Sequence, residues 1–221
     1  MSAAPSAGRL ILALDGAVGG FSAALTGEGV AGAERIDPYR ALEGGLALVD
    51  RLLAAAGLRL ENLTGIAVGT GPGGFSGLRI AVSYAKGIAL ARGLPVAGVS
   101  SYDAVEEPPA QAPAVAIVSG RTGLACARLR LPGTSAAPAV FCGQVERVAE
   151  ELAEALAPVR DLTVTCSGLT EGVAERLGER GFTVRANPLS DTPAALAVAA
   201  FAARRPDLFG PAHAVRPDYG A

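Results

Sequence analysis

The chain lacks tryptophan altogether and has one methionine, one histidine and a single lysine, Lys86. With His213 as its lone imidazole it cannot build a His-based metal cluster or a His–His proton relay. Charge is sparse too: Asp, Glu, Lys and Arg make up 18% of the 221 residues, where about 25% is usual. The net charge is −2 and no basic run exceeds Arg204-Arg205, which excludes a global positive field that would draw nucleic acid. Cys126, Cys142 and Cys166 are odd in number, widely spaced and form no Cys-x-x-Cys pair. That usage predicts reduced thiols in a cytoplasm rather than a disulfide framework or a zinc site. Long apolar runs are missing as well. Leu10 to Leu14 stops at Asp15, too short for a signal-peptide core, and nothing approaches the ~18 apolar residues that span a bilayer. The expectation is a soluble cytoplasmic protein with no membrane partner.

What the chain has in quantity is small apolar residues. With its 29 glycines counted and tyrosine set aside, the apolar share is about 61%, against a typical ~45–50%. So thin a polar covering points to a face covered by another protein.

Leu10 to Leu14 reads as a buried strand, Asp15-Gly16 with Gly19-Gly20 as a turn, and Phe21 to Leu25 as the returning strand. Leu42, Leu46, Val49, Leu53 and Ala56 then fall at helical spacing, with Gly57 as the stop. A short strand, Ile66-Ala67-Val68, leads through the loop Gly69-Thr70-Gly71-Pro72-Gly73-Gly74 into a helix over 76–92. A strand at 95–99 follows, and Ser100-Ser101 is placed to cap a short helix. Proline and charge at 106–113 break both periodicities. Beyond them the opening recurs. Ala114 to Val118 matches the first strand and Leu124 to Leu129 the return strand. Helices near 144–156, 171–180 and 193–204 then alternate with strands at 162–166 and 182–184. A hairpin followed by alternating helices and strands, twice over, predicts two stacked α/β lobes, each a mixed sheet with flanking helices. The expected boundaries are a disordered segment at 1–9, lobes at 10–108 and 109–205, and a surface-wrapping tail at 206–221.

Gly69, Gly71 and Gly74 satisfy the G-x-G-x-x-G spacing between a strand and a helix, the setting of a dinucleotide site. Asp103 lies after the next strand, where a ribose-binding acid would stand. Against that, Pro72 stiffens the loop and removes an amide donor from any phosphate cradle. A Walker loop is excluded, because Phe75 stands where the phosphate lysine must be. The same glycines would serve equally well in a strand-to-helix turn with close helix packing. Asp15-Gly16 sits where actin-like ATPases keep an acid and a glycine for metal and phosphate. The matching acid position in the second half is Ser119, followed by Gly120 and Arg121. A lone Asp in a turn commonly caps backbone amides instead. Ser76 has no histidine to activate it, and Lys86 lies within a helix. No nucleophile–base pair emerges, so neither a catalytic residue nor a metal site is expected.

Three longer stretches carry a resemblance. They are Gly69-Thr70-Gly71-Pro72-Gly73-Gly74-Phe75-Ser76-Gly77-Leu78-Arg79-Ile80, then Ala85-Lys86-Gly87-Ile88-Ala89, then Pro95-Val96-Ala97-Gly98-Val99-Ser100-Ser101. Together with Ile11 to Asp15 they resemble the bacterial TsaB (YeaZ) family, from about Leu10 to Asp103 and only faintly afterwards. The resemblance implies an actin-like, RNase H-like (ASKHA) two-lobe fold. It also implies a place in the assembly that forms N6-threonylcarbamoyladenosine at position 37 of tRNAs reading codons that begin with A. In that assembly TsaD is the catalytic paralogue, TsaB its non-catalytic dimerisation partner, and TsaE an ATPase that joins them; tRNA is met only through the complex. The resemblance leaves room for a homodimer of the free chain and for a nucleotide at the subunit junction. TsaD-like proteins carry a His-x-x-x-His metal motif, which this chain lacks. It departs from the family pattern at Gly16, where threonine is common, at 37–40, where a histidine is common, and at Ser119-Gly120-Arg121, where Asp-Ala-Arg is common.

The expectation is therefore a scaffold subunit without an active site of its own; the alternative is a small nucleotide-dependent enzyme using Gly69 to Gly74 and Asp15. Two helices are expected to carry the partner interface. Leu42, Leu46, Val49 and Leu53 supply one apolar stripe, and Val82, Ala85 and Ala89 lie on a helix rich in small residues. Gly69, Gly71, Pro72, Gly73, Gly74, Ser76, Gly77 and Arg79 form a structural loop, and the second half is expected to contribute little to pairing.

Overall fold

Alternation along the first strand sets the layers of the molecule. In β1 (Ile11–Asp15) every residue is buried, because successive side chains enter different cores. Leu12 and Leu14 pack in one cluster, Ile11 and Ala13 in another on the opposite face of the sheet. The computed structural model describes residues 9–27, 29–106, 112–118, 123–134, 137–159, 162–170, 172–188 and 193–219.

β1 pairs antiparallel with β2 (Phe21–Gly27), and β2 with β3 (Val30–Ile36). β4 (Gly65–Gly71) runs parallel to β1, and β5 (Val96–Ser100) parallel to β4. Two helices, α1 (Ala41–Ala55) and α2 (Phe75–Arg92), cover the face that carries Leu12, Leu14 and Phe21. A short α3 (Ser101–Val105) follows β5, its N-terminus capped by Ser100 Oγ accepting from Tyr102 N at 3.3 Å.

The second half repeats this plan. β6 (Ala114–Val118), β7 (Leu124–Arg130) and β8 (Ala139–Gln144) form the antiparallel run, then α4 (Val145–Leu156), β9 (Val164–Gly168), α5 (Val173–Glu179) and β10 (Val184–Pro188) complete the sheet. The strand order β10-β9-β6-β7-β8 reproduces β5-β4-β1-β2-β3 of the first sheet position for position. Two mixed sheets with flanking helices are thus present, as the repeat predicts. β3 and β8, absent from the sequence reading, are the edge strands beyond each hairpin. Their half-exposed residues leave no clear alternation to detect.

The lobe boundaries need correction. The last helix, α6 (Ala194–Arg204), lies within the expected second lobe at 109–205 but packs on the first sheet. Ala195, Val198, Ala199 and Ala202 lie against Ile11, Ala13, Ala24, Ala67, Ala97 and Val99, and Ala195 N donates to the buried Ser22 Oγ at 3.0 Å. Alanines on both surfaces let the helix approach closely, whereas periodicity reveals only that a helix has an apolar face, not which sheet receives it. The tail does more than wrap: β11 (Phe209–Gly210) adds an antiparallel strand to β5. In the other direction α3 reaches the second lobe, where Tyr102 packs on Ala116 and Val118. Arg128 bridges Asp103 at 2.6 Å and also pairs with Glu106, which Arg130 Nε meets at 2.9 Å. Asp103 therefore serves the seam between lobes rather than a ribose.

The cysteine reading is corrected as well. Cys126 and Cys142 face each other across β7 and β8 and are disulfide-bonded. Their separation of 16 residues concealed a pairing that hairpin register alone creates. Cys166 is free and buried, and burial pushes its thiol up to about 12. Among the described residues no helix is long and apolar enough to cross a membrane. The expectation of disorder at 1–9 falls mostly on residues outside the described ones.

Placing a charge between α6 and the first sheet should therefore damage the first lobe. Val198→Asp is expected to cost about 3–5 kcal/mol in urea melts, and Ala203→Asp, on the exposed side of α6, less than about 0.5 kcal/mol. Equal, small effects would place α6 outside this core.

Candidate functional site

The glycine loop joins β4 to α2 and lies against the turn that follows β1. Gly16 and Gly77 touch backbone to backbone: a Cβ on either would run into the other's carbonyl. Gly16, the departure from threonine, is thus required by how closely α2 approaches. Gly74 N donates to Ala17 O at 2.7 Å, and a Cβ at Gly73 would strike the same carbonyl. Leu78 N then donates to Gly74 O at 2.9 Å, opening the helix without a side-chain cap. On the far side, Gly71 has φ +99° and its missing Cβ leaves room for Asp218 O. Pro72 is buried, Ser76 is exposed, and Arg79 stacks over the Phe75 ring at 3.8 Å.

Asp15 is shut inside this arrangement. Its Oδ1 accepts from Ala17 N and Val18 N, each at 3.1 Å, and its Oδ2 fills the space that a Cβ on Gly69 would take. Burial pushes its carboxyl up to about 6, against the opposing pull of the two amide hydrogen bonds. It therefore caps the β1–β2 turn. His213 is exposed in the tail, and among the described residues no group of three His, Cys, Asp or Glu could hold a metal ion. The positions of Ser119, Gly120 and Arg121 lie outside the described residues.

The two-helix set divides. Leu42 and Leu46 point outward, 69% and 47% exposed, but Val49, Leu53, Val82, Ala85 and Ala89 are all buried in the first lobe's own core. The small residues of α2 run in two stripes. Ala81, Ala85 and Ala89 face the sheet, while Ser83, Gly87 and Ala91 face solvent. Spacing alone could not tell inward from outward. Between α1 and α2 the outward residues line an open groove of about 340 Å³, floored by Val49 and Tyr84 and edged by Leu46, Ser83, Gly87 and Ile88. Tyr84 OH donates to Leu42 O at 2.6 Å and fixes the two helices to each other. Tyr84 and this groove were missed by the sequence reading; the i, i+4 spacing of Ser83 and Gly87 was their available signal.

Comparison with known proteins places this geometry. Residues 43–172, more than half of the chain, match the family model described as TsaD: tRNA N6-adenosine threonylcarbamoyltransferase. The structure of YeaZ from Pseudomonas aeruginosa is 26% identical, covers 96% of this chain and 99% of its own, and superposes with a TM-score of 0.68. The chain belongs to the TsaD family, as a TsaB (YeaZ) member. TsaB from Escherichia coli is 37% identical over 92 residues, which is 41% of this chain and 40% of that protein's length. The activator of 2-hydroxyisocaproyl-CoA dehydratase from Clostridium difficile, solved with bound ADPNP, shares the fold at a TM-score of 0.52 and 12% identity, over 90% of this chain and 96% of its own. As in that fold group, this TsaB member has two α/β lobes of the actin-like kind.

Two of the donors that a phosphate cradle would use are missing from the glycine loop as this TsaB member builds it. The Gly74 amide is taken by Ala17 O, Pro72 has no N–H, and Gly71 and Gly73 are closed over by Asp218 O and Ala17 O. Asp15 lies buried behind Gly69.

The buried carboxyl gives a pH signature. Because the native state holds the Asp15 proton up to pH about 6, and the unfolded chain releases it near 3.8, stability conferred through this group is full at low pH. It falls as pH rises between these values, by about 3 kcal/mol in total. Asp15→Asn should therefore gain about 2–3 kcal/mol relative to wild type between pH 4 and pH 8, read by urea melts at both. A pH-independent difference would show that Asp15 is ionised in the native state throughout.

Proposed function

We propose that this chain is a non-catalytic dimerisation subunit that pairs with a TsaD paralogue in the formation of N6-threonylcarbamoyladenosine at position 37 of tRNAs reading codons that begin with A. The observation that carries the reading is the open apolar groove between α1 and α2. It is the face where small outward residues allow a partner helix to approach, and Tyr39 and Leu42 are exposed hydrophobic side chains at the start of α1. The family match supports TsaD as the partner, since paralogues of one fold present similar helix pairs to each other. E. coli TsaB is named a tRNA threonylcarbamoyladenosine biosynthesis protein. In this reading TsaE joins the pair in the cytoplasm, tRNA is met only through the complex, and any nucleotide at the junction belongs to the pair rather than to the glycine loop. The free chain uses the same face for a homodimer, in competition with TsaD.

The rival reading, a small nucleotide-dependent enzyme, draws no support from a loop in which the Gly74 amide is taken by Ala17 O and Pro72 has no N–H. The direct test is titration calorimetry of the purified chain with TsaD, alongside a steady-state assay of the chain alone on ATP, threonine and tRNA. Pairing without turnover is expected. Multiple turnovers abolished by Asp15→Ala would overturn the reading.

Substitutions separate the interface from the core. A Cβ at Gly87 meets nothing within 4 Å, so Gly87→Arg should fold normally. With Leu46→Glu, it is expected to weaken pairing by about 2–4 kcal/mol through a charge buried at the contact, with Tm unchanged. Val82→Arg and Ala85→Glu, at buried positions, should instead lower Tm sharply in the isolated chain. Wild-type affinity in both surface variants would remove the groove from the interface.

A further inference from the structure

Residues 209–219 pack against the first sheet beside glycines of β4 and β5. Phe209 in β11 lays its ring where a Cβ on Gly65, at the start of β4, would lie 2.8 Å from it. Val215, buried in the first lobe's core, sits beside Gly98 of β5, where a Cβ would lie 3.5 Å from its methyl. Asp218 O occupies the space left by Gly71 at the end of β4. The segment thus meets the first sheet on both faces, Phe209 on the side that α6 covers and Val215 on the side of α1 and α2.

The segment ends on the entrance to α2. Asp218 N donates to Thr70 O at 2.6 Å, inside the glycine loop. Tyr219 places its ring 4.9 Å from that of Phe75, the first residue of α2. Arg79, one turn further on, stacks over Phe75 and donates from Nε to Tyr219 OH at 3.1 Å. The helix start has no side-chain cap and no acidic residue in its first turn, so these contacts supply anchorage that its own sequence omits. From the opposite side Gly74 N donates to the Ala17 carbonyl.

We propose that residues 209–219 form a cis-acting strap, with Arg79 and Tyr219 as positioning residues that fix the entrance of α2 and thereby the orientation of the pairing face. The inference rests on the pairing reading above. It assigns to the C-terminus a part in partner binding that the expectation of an idle second half denied. The contacts of Asp218 and Tyr219 fall at residues 70–79, outside the lining of the α1–α2 groove, so they act through the set of the helix.

Hydrogen exchange of the isolated chain, followed by mass spectrometry, reads the strap directly. Tyr219→Ala, and a chain ending at Leu208, should raise exchange of the amides at 70–78 at least tenfold and leave those of α4 unchanged. Both should weaken pairing with TsaD at least tenfold. Tyr219→Phe, which keeps the stack but loses the acceptor for Arg79, should restore most of both effects. Because Tyr219 is half-exposed, its alanine variant is expected to keep the wild-type Tm, so the outcome can be read even if truncation unfolds the chain. Unchanged exchange at 70–78 would overturn the strap, and faster exchange with unchanged pairing would overturn its positioning role. A wild-type chain that fails to pair with TsaD would overturn the pairing reading and the strap's bearing on it, and exchange of the isolated chain tells that failure from the strap's own.

Discussion

The turn after β1 and the entrance to α2 meet with no side chain between them, Gly16 against Gly77 and Ala17 O against Gly74 N. Backbone contact of this kind has no tolerance, because a single Cβ on either side would drive the two segments apart. Where α2 begins decides which of its stripes faces the sheet. That in turn decides which small residues, Ser83 and Gly87, remain outside to line the groove with α1. Asp15 is enclosed by the same approach, so its buried carboxyl and the outward groove have one structural origin.

An actin-like lobe can use the turn after its first strand and a nearby glycine loop to hold phosphate, provided their amides point into open space. Here those amides and faces are turned on each other and on the C-terminal segment. The exchange converts a ligand cradle into a rigid joint. A subunit whose task is to present two helices at a fixed angle gains from such a joint, and the proposed scaffold role is consistent with the chemistry that the joint removes.

Much of the architecture was legible in the sequence because hydrophobic period and glycine placement act locally. The hairpin, the parallel strands, the helices and their repetition could all be read, since each depends on residues within one element. The glycine spacing of the loop admits both a phosphate site and a strand-to-helix turn, because the groups packed against it come from elsewhere in the chain. What escaped depends on distant partners. Edge strands β3 and β8 bury too little to show alternation. The Cys126–Cys142 bond exists only once β7 and β8 are in register. Val82, Ala85 and Ala89 belong to a stripe that spacing cannot orient, because α2 carries small residues on two faces. The destination of α6, across the lobe boundary, follows from alanines on both surfaces that no single window contains.

The two halves are packed under different constraints. The first half is constrained atom by atom: Gly16, Gly69, Gly71, Gly73 and Gly77 each face a backbone or carboxylate atom at contact distance, so substitution has little freedom. In the second lobe the core of Val148, Leu152, Leu156, Val164 and Leu177 needs only apolar volume at the right period, which many sequences supply. Yet the lobes are not separable. Each sends its third helix to the other: α3 places Tyr102 on β6, and α6 closes the back of the first sheet. Arg128 ties the seam through Asp103 and Glu106. The second lobe is thus held in place by the first, and α6 and the tail support the sheet on which α1 and α2 rest.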